Sequence, residues 1–293
     1  MNSAATEALR ELLARVPEIA PHATTTVLLN PRPGTPGSRD SHLGGPLLWP
    51  AAEPWPTCDR HPGEDPYDLV SVAQLHAAEA PGLPFPEGTD LLQVLWCPVH
   101  HDQPHPAGWG PAGRVVWRRT ADVTEEAAEQ PDGWAEWQDD PEGVVPRPCV
   151  VHPEQLPDLP PEDALPEPLR NRLAAAGAED LYDLMSAHPG CKAGGCMDWM
   201  AATRPADLDC PSCGSPYALL LQVDSYEYLP SDTRGYGLSA FAPPEEQGLA
   251  PGTDAHDRAS RPTAMSVGRG DSHGGLFVCT AAPSAHPPAF FPG

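Results

Sequence analysis

Proline is the residue that most limits what this chain can fold into. There are 41 prolines among 293 residues, and 26 glycines besides. Proline removes a backbone donor and ends helices, so helices must be few and short. The prolines interrupt clear apolar runs rather than replacing them. The expectation is a loop-rich α+β fold, with largely antiparallel sheets, few short helices and long Pro-rich loops.

Only a few stretches escape proline for long. "TEALRELLARV" (6–16) places Leu9, Leu12, Leu13 and Val16 on one helical face. "PLRNRLAAAGAEDLYDLMSA" (168–187) reads as a second helical region that Gly177 splits, with Leu169, Leu173, Leu181, Leu184 and Met185 on its buried side. Strands are expected at "TTTVLLN", "LVSVAQLH", "LLQVLWC", "RVVWRR", "PCVVHP", "YALLLQVDS" and "GGLFVCT". Residues 120–143, with Trp134 and Trp137, read as a surface excursion. Residues 242–262 read as a long loop, and 281–293 as a flexible tail.

Charge narrows the partners. With 17 Lys+Arg against 41 Asp+Glu, the formal net charge is −24, and no basic run offsets it. Such a chain repels phosphates and anionic lipid, which argues against nucleic-acid and membrane partners. The N-terminal stretch lacks the basic and apolar regions of a signal peptide, and no window is apolar enough to span a membrane. A cytoplasmic location follows as the expectation. There, eight cysteines are expected as buried thiols or metal ligands rather than disulfides.

Two stretches echo each other. "HLGGPLLWP" is followed by "LVSVAQLH", and "KAGGCMDWM" by "ALLLQVDS". Gly44-Gly45 precedes Trp49 as Gly194-Gly195 precedes Trp199. Gln74 and Gln222 lie on the strands that follow, and each copy goes on to an apolar strand ending in Cys, at Cys97 and Cys279. "CDRH" (Cys58, His61) stands in the first copy where "CPSC" (Cys210, Cys213) stands in the second. Four echoes in similar order point to an internal duplication with a cleft at its junction.

The run of Gly-Gly, Trp-Pro, A-Q-L and L-L-Q, then K-x-G-G, C-P-x-C-G and L-L-x-Q-V-D-S, resembles the YwqG-like family, a bacterial domain family (domain of unknown function 1963). The resemblance covers roughly residues 24–280. It implies an α+β fold with a duplicated unit and no catalytic residue. The chain departs from that pattern at His42, where Lys usually precedes the first Gly-Gly, and at Cys191. The expected organisation is a helix at 1–20, a first repeat at 21–150, a connector and helix at 151–186, a second repeat at 187–280 and the tail.

Metal ligands are the most specific chemistry on offer. "CPSCG" has the turn residues that aim two thiolates at one point, and zinc requires four soft or borderline ligands. Cys191 and Cys196, or Cys58 and His61, are the candidates to complete the set with Cys210 and Cys213. "CPVHHDQPH" holds Cys97, His100, His101, Asp102 and His105, but with no helix to set the spacing it is expected to be a solvated turn. The Gly-Gly pairs offer a second kind of site. Gly44, Gly45 and His42, with Gly194, Gly195 and Lys192, would frame an anionic or aromatic ligand. No coherent catalytic set stands out. The leading expectation is therefore a non-enzymatic module that binds a protein or small molecule and carries a structural zinc. The alternative is a metal-assisted hydrolase working in the cleft between the repeats.

Overall fold

The structure is a computed structural model. It describes residues 3–61, 66–102, 109–131, 143–197, 199, 208–227, 245–246, 248–250, 252–268 and 273–293. Trp134, Trp137 and His105 lie outside the described residues.

Helix α1 (Ser3–Arg15) opens the chain. It is followed by strands β1 (Thr24–Leu28), β2 (Arg32–Pro33) and β3 (His42–Leu43), and by the short pair β4 (Thr57–Cys58) and β5 (Tyr67–Asp68). The long strands β6 (Val70–His76), β7 (Leu91–Asp102) and β8 (Trp109–Arg118) come next, then β9 (Cys149–Val150) and β10 (Glu154–Asp158). Helices α2 (Glu167–Ala176) and α3 (Glu179–Met185) lead to β11 (Lys192–Gly194) and β12 (Tyr217–Asp224). Helix α4 (Asp254–Ser260), β13 (His273–Cys279) and β14 (Ala289–Pro292) complete the described elements. The fold is α+β, and every pairing between these strands is antiparallel.

The helices stay short for the local reasons that the sequence shows. Gly177 adopts φ 58 and caps α2, its N–H bonding back to Ala174, as a left-handed C-terminal glycine does. Thr253 caps α4 by accepting from the His256 N–H. Helices α1, α2 and α3 pack Leu12, Leu173, Tyr182 and Met185 into one apolar cluster with Val16, Leu28 and Leu156.

The strands form two six-stranded sheets and the small β4–β5 pair. The first sheet runs β2-β9-β3-β6-β7-β8, and the second runs β10-β1-β11-β12-β13-β14. These orders correspond place by place. In each sheet, the second position is filled by a strand from the other part of the chain. Strand β1 lies between β10 and β11, and β9 lies between β2 and β3. The chain passes from the second sheet into the first between β1 and β2, and back again between β9 and β10.

Finer detail corresponds too. His42 pairs with Gln74, and Lys192 pairs with Gln222. An irregularity falls between Ser71 and Ala73 in β6, and another between Leu219 and Leu221 in β12, each the same distance before its Gln. Val70, Val72, Leu92, Val94, Leu220 and Val223 are all buried, in a core that both sheets share. Gln74 and Gln222 are buried as well. Gln74 donates to the Ser38 and Asp40 carbonyls and accepts from the Leu48 N–H. Gln222 donates to the His188 and Gly190 carbonyls, while its Oε1 has no partner among the described residues.

Three segments differ from the reading of the sequence. Helix α4, capped by Thr253, falls within 242–262, which reads as a long loop. Strand β10 falls in what reads as a connector, and it tolerates Pro157 because it is a sheet edge. The tail is anchored rather than flexible. Ala289, Phe290 and Phe291 are buried on β14, which pairs with β13. Phe290 lies across two glycines, Gly110 on β8 and Gly274 on β13. A Cβ at either would come within 2.3 Å of the ring. The ring meets Trp96 edge-on at 6.1 Å. Phe290→Ala should therefore lower unfolding stability by about 3–5 kcal/mol. A loss below about 1 kcal/mol in chemical denaturation would show that the tail is not part of the core.

Candidate metal centres and the Gly-Gly sites

The C-P-x-C-G stretch forms the tight turn that its residues favour. The N–H groups of Cys213 and Gly214 both bond to the Cys210 carbonyl, and Gly214 takes φ +71. The ligands that join Cys210 and Cys213 come from further along the chain. Cys279 ends β13, and His286 sits on the connection to β14, where its N–H bonds back to the Ala282 carbonyl. The four ligand atoms all lie within 4.8 Å of one another. Cys210 Sγ is 3.4 Å from His286 Nδ1. Cys279 Sγ is 3.3 Å from the same nitrogen and 3.5 Å from Cys213 Sγ. A tetrahedral zinc, with sulfur at about 2.3 Å and nitrogen at about 2.0–2.1 Å, spaces its ligands about 3.4–3.8 Å apart. The three closest separations in the cluster, 3.3–3.5 Å, are near these dimensions.

A second group of four, Cys58, His61, Cys97 and His101, has its ligand atoms within the same limit. Cys58 Sγ lies 3.5 Å from His101 Nε2, and His61 Nε2 lies 3.2 Å from Cys97 Sγ. Cys97 and His101 share strand β7. At about 3.3 Å per residue, a regular strand would hold them about 13 Å apart. The register of β7 against β8 shifts between Trp96 and His100, and this irregularity folds the strand enough for both side chains to reach one point. The expectation of a solvated turn at "CPVHHDQPH" is thus overturned for Cys97 and His101.

Neither completing pair expected from the sequence joins Cys210 and Cys213. Cys58 and His61 belong to the other group. Cys191 is buried behind β11, where its Sγ contacts the Asp224 backbone and its N–H reaches Glu227. Cys196 offers its backbone instead, its N–H donating to Asp158 and its carbonyl accepting from Lys192. The strand pairing of β11 fixes both cysteines on the sheet, away from the turn.

The electrostatics differ around each thiol. Hydrogen bonds from Ser215 hold the exposed Cys213 thiol down to about 6. Burial raises Cys279, and pushes Cys97 up to about 12. Burial, then the neighbouring thiols, lifts the Tyr217 hydroxyl to about 12, and it donates to the Pro287 carbonyl. A cation entering either group must displace the protons of its buried thiols.

An apolar cluster underlies each group. Trp49 packs with Leu47, Leu69, Leu95, Cys58 and Cys97. Trp199 packs with Tyr217, Leu219, Phe277, Cys210 and Cys279. A cavity of about 530 Å³ opens between the groups. Cys58, Arg60 and Arg114 line one side, and Pro211, Tyr217 and Phe290 the other.

The Gly-Gly sites turn inward. Gly44 has φ +64, and a Cβ there would come within 2.8 Å of the Pro146 and Arg147 carbonyls. Gly195 has φ +81, and a Cβ would lie 2.4 Å from Asp158. Gly194 has φ +68. Gly44 and Gly45 line a cavity of about 540 Å³ with Trp55 and Ser71. His42 is fully buried, accepting from the Gly45 N–H at Nδ1 and donating to the Pro46 carbonyl at Nε2. Lys192 is also fully buried. It bonds to the Cys196 carbonyl at 2.5 Å and to Asp158 at 3.4 Å. Asp158 in turn accepts from the Cys196 and Leu159 N–H groups.

The chain matches no protein-family model and no curated protein.

Lys192 neutralises a buried carboxylate, so Lys192→Ala should cost about 3–5 kcal/mol of stability. A change under about 1 kcal/mol in urea unfolding would mean that the pair does not hold the site together. For His42, burial lowers the folded-state value from 6.5 to about 4. The unfolded chain therefore binds more protons between these values, and stability falls as pH drops from 6.5 towards 4. In the same buffer, His42→Asn should show a shallower dependence of unfolding free energy on pH between 5 and 6, by about one proton. Equal slopes in the two proteins would contradict a neutral, buried His42.

Proposed function

We propose that this chain is a YwqG-like protein acting as a non-enzymatic binding or interaction module, fastened by a structural zinc ion at Cys210, Cys213, Cys279 and His286. The observation that carries this is closure. Four protein ligand atoms lie within 4.8 Å of one another, with closest separations of 3.3–3.5 Å, and a structural zinc is closed by four protein ligands whereas a catalytic one keeps a position for water. Three sulfurs and one nitrogen favour zinc over harder cations. The ion would tie the turn at 210–213 to the end of β13 and to the β13–β14 connection.

All eight cysteines are free thiols, which suits a reducing cytoplasm. Among the described residues, no helix is long and apolar enough to cross a membrane. The partner, a protein or a small molecule, would meet the cavity between the two Cys/His groups. Arg60 and Arg114 there offer positive charge on a chain of net charge −24. The same cavity favours the second reading, a metal-assisted hydrolase, because it adjoins both groups.

Cobalt substitution separates the two readings. Protein reconstituted with Co²⁺ should give tetrahedral thiolate-ligated spectra that added azide or cyanide leaves unchanged. Cys279→Ser should lose the metal at this centre and unfold at lower temperature. Spectra that shift on anion binding would reveal an open position and favour the hydrolase. Equal metal content in wild type and Cys279→Ser would remove the zinc centre altogether.

A further inference from the structure

We propose that Cys58, His61, Cys97 and His101 form a second zinc site, so that the chain holds two ions, one beside each sheet, in corresponding places but with different ligand sets. This extends the zinc reading above to a separate group of residues.

Three observations support it. The first is convergence. Four side chains from two distant segments bring their ligand atoms within 4.8 Å of one another, with closest separations of 3.2 and 3.5 Å. Two sulfurs and two imidazole nitrogens in that arrangement are a tetrahedral zinc set.

The second is correspondence. Gln93 on β7 pairs with Gln74, and Gly275 on β13 pairs with Gln222. Cys97 and Cys279 each lie four residues beyond that partner. The other pair in each group, Cys58 with His61 and Cys210 with Cys213, follows the third strand of its sheet at a two-residue spacing. Trp49 and Trp199 pack beneath the corresponding cysteines. The fourth ligand is histidine in both, on β7 itself in one and beyond the end of β13 in the other.

The third is local cost. The irregularity in β7 between Trp96 and His100 gives up ladder hydrogen bonds to bring Cys97 and His101 together. The rings of His61 and His101 stand 4.8 Å apart, edge to face. A bound divalent cation gives that convergence a purpose, since it would clip the β4 segment onto the far end of the β7–β8 hairpin. The Cys210 centre would carry three thiolates and the Cys58 site two. With zinc bound, the Cys210 set has net charge −1 and the Cys58 set is neutral.

Metal analysis of untagged protein tests this. Wild type should hold about two zinc ions per chain, and X-ray absorption should give an average of about 2.5 sulfurs and 1.5 nitrogens per ion. His61→Asn should keep one ion with a sulfur-rich signature, and Cys213→Ser should keep one with two sulfurs and two nitrogens. Wild type with one ion, lost in Cys213→Ser and retained in His61→Asn, would overturn the second site and leave the first reading standing. One ion lost only in His61→Asn would do the reverse. If a variant fails to fold, the wild-type stoichiometry and sulfur average still decide. One ion with three sulfurs excludes the proposal, and two ions averaging 2.5 sulfurs support it.

Discussion

The exchange of β1 and β9 between the sheets is the constraint on which the rest of the structure depends. Strand β1 is paired on both sides, by β10 and β11, and β9 is paired by β2 and β3. Neither sheet is continuous without a strand from the other part of the chain. The two sheets therefore form as one body around a shared core of Val72, Leu92, Trp96, Leu220 and Phe290. A chain so rich in proline has few long local elements to rely on. Long-range pairing takes the role that helices play elsewhere, at the cost of slow loop closure.

This arrangement also decides what the Gly-Gly segments do. Each lies at the end of the third strand of its sheet, where Gly44 comes up against the Pro146 and Arg147 carbonyls and Gly195 against the Asp158 and Thr26 side chains. The positive φ angles of Gly44 and Gly195, and the absence of room for a Cβ, follow from that approach. His42 and Lys192 then occupy corresponding positions opposite a buried Gln. They meet burial in different ways. The imidazole stays neutral and satisfies both nitrogens with nearby backbone. The ammonium needs a carboxylate, which Asp158 supplies from β10.

The metal candidates sit where the regular pairing of the apolar strands β7 and β13 stops. Cys279 is the last residue of β13, and Cys97 is where β7 leaves its register. The loops that carry Cys58 and Cys210 close over these points, with a tryptophan packed below. A cation held by either group would tie these loops to the strands beneath them. The cavity between the two groups is walled in part by the same loops, through Cys58, Arg60 and Pro211.

The sequence by itself determined the kinds of element and much of the core. β-branched and aromatic runs marked the long strands, Gly177 split the helix, and the six apolar positions on β6, β7 and β12 are buried, because these features depend on neighbours close along the chain. It also exposed the paired Gly-Gly, Trp, Gln and terminal Cys landmarks. Only the tertiary structure decided which ligands meet. The C-P-x-C-G turn was legible, but Cys279 and His286 reach it through the pairing of β13 with β12 and β14. Cys97 and His101 converge only through an irregular register that no spacing rule contains. Cys191 and Cys196, nearer in sequence, are held away by β11. Ligand convergence is a property of strand register and loop path, both set by pairings between separate strands, such as Tyr217 with Cys279 and Trp96 with Gly113, whereas helix caps, turns and strand alternation are set within a few residues. That difference in range is why the knuckle could be read from the chain and its partners could not.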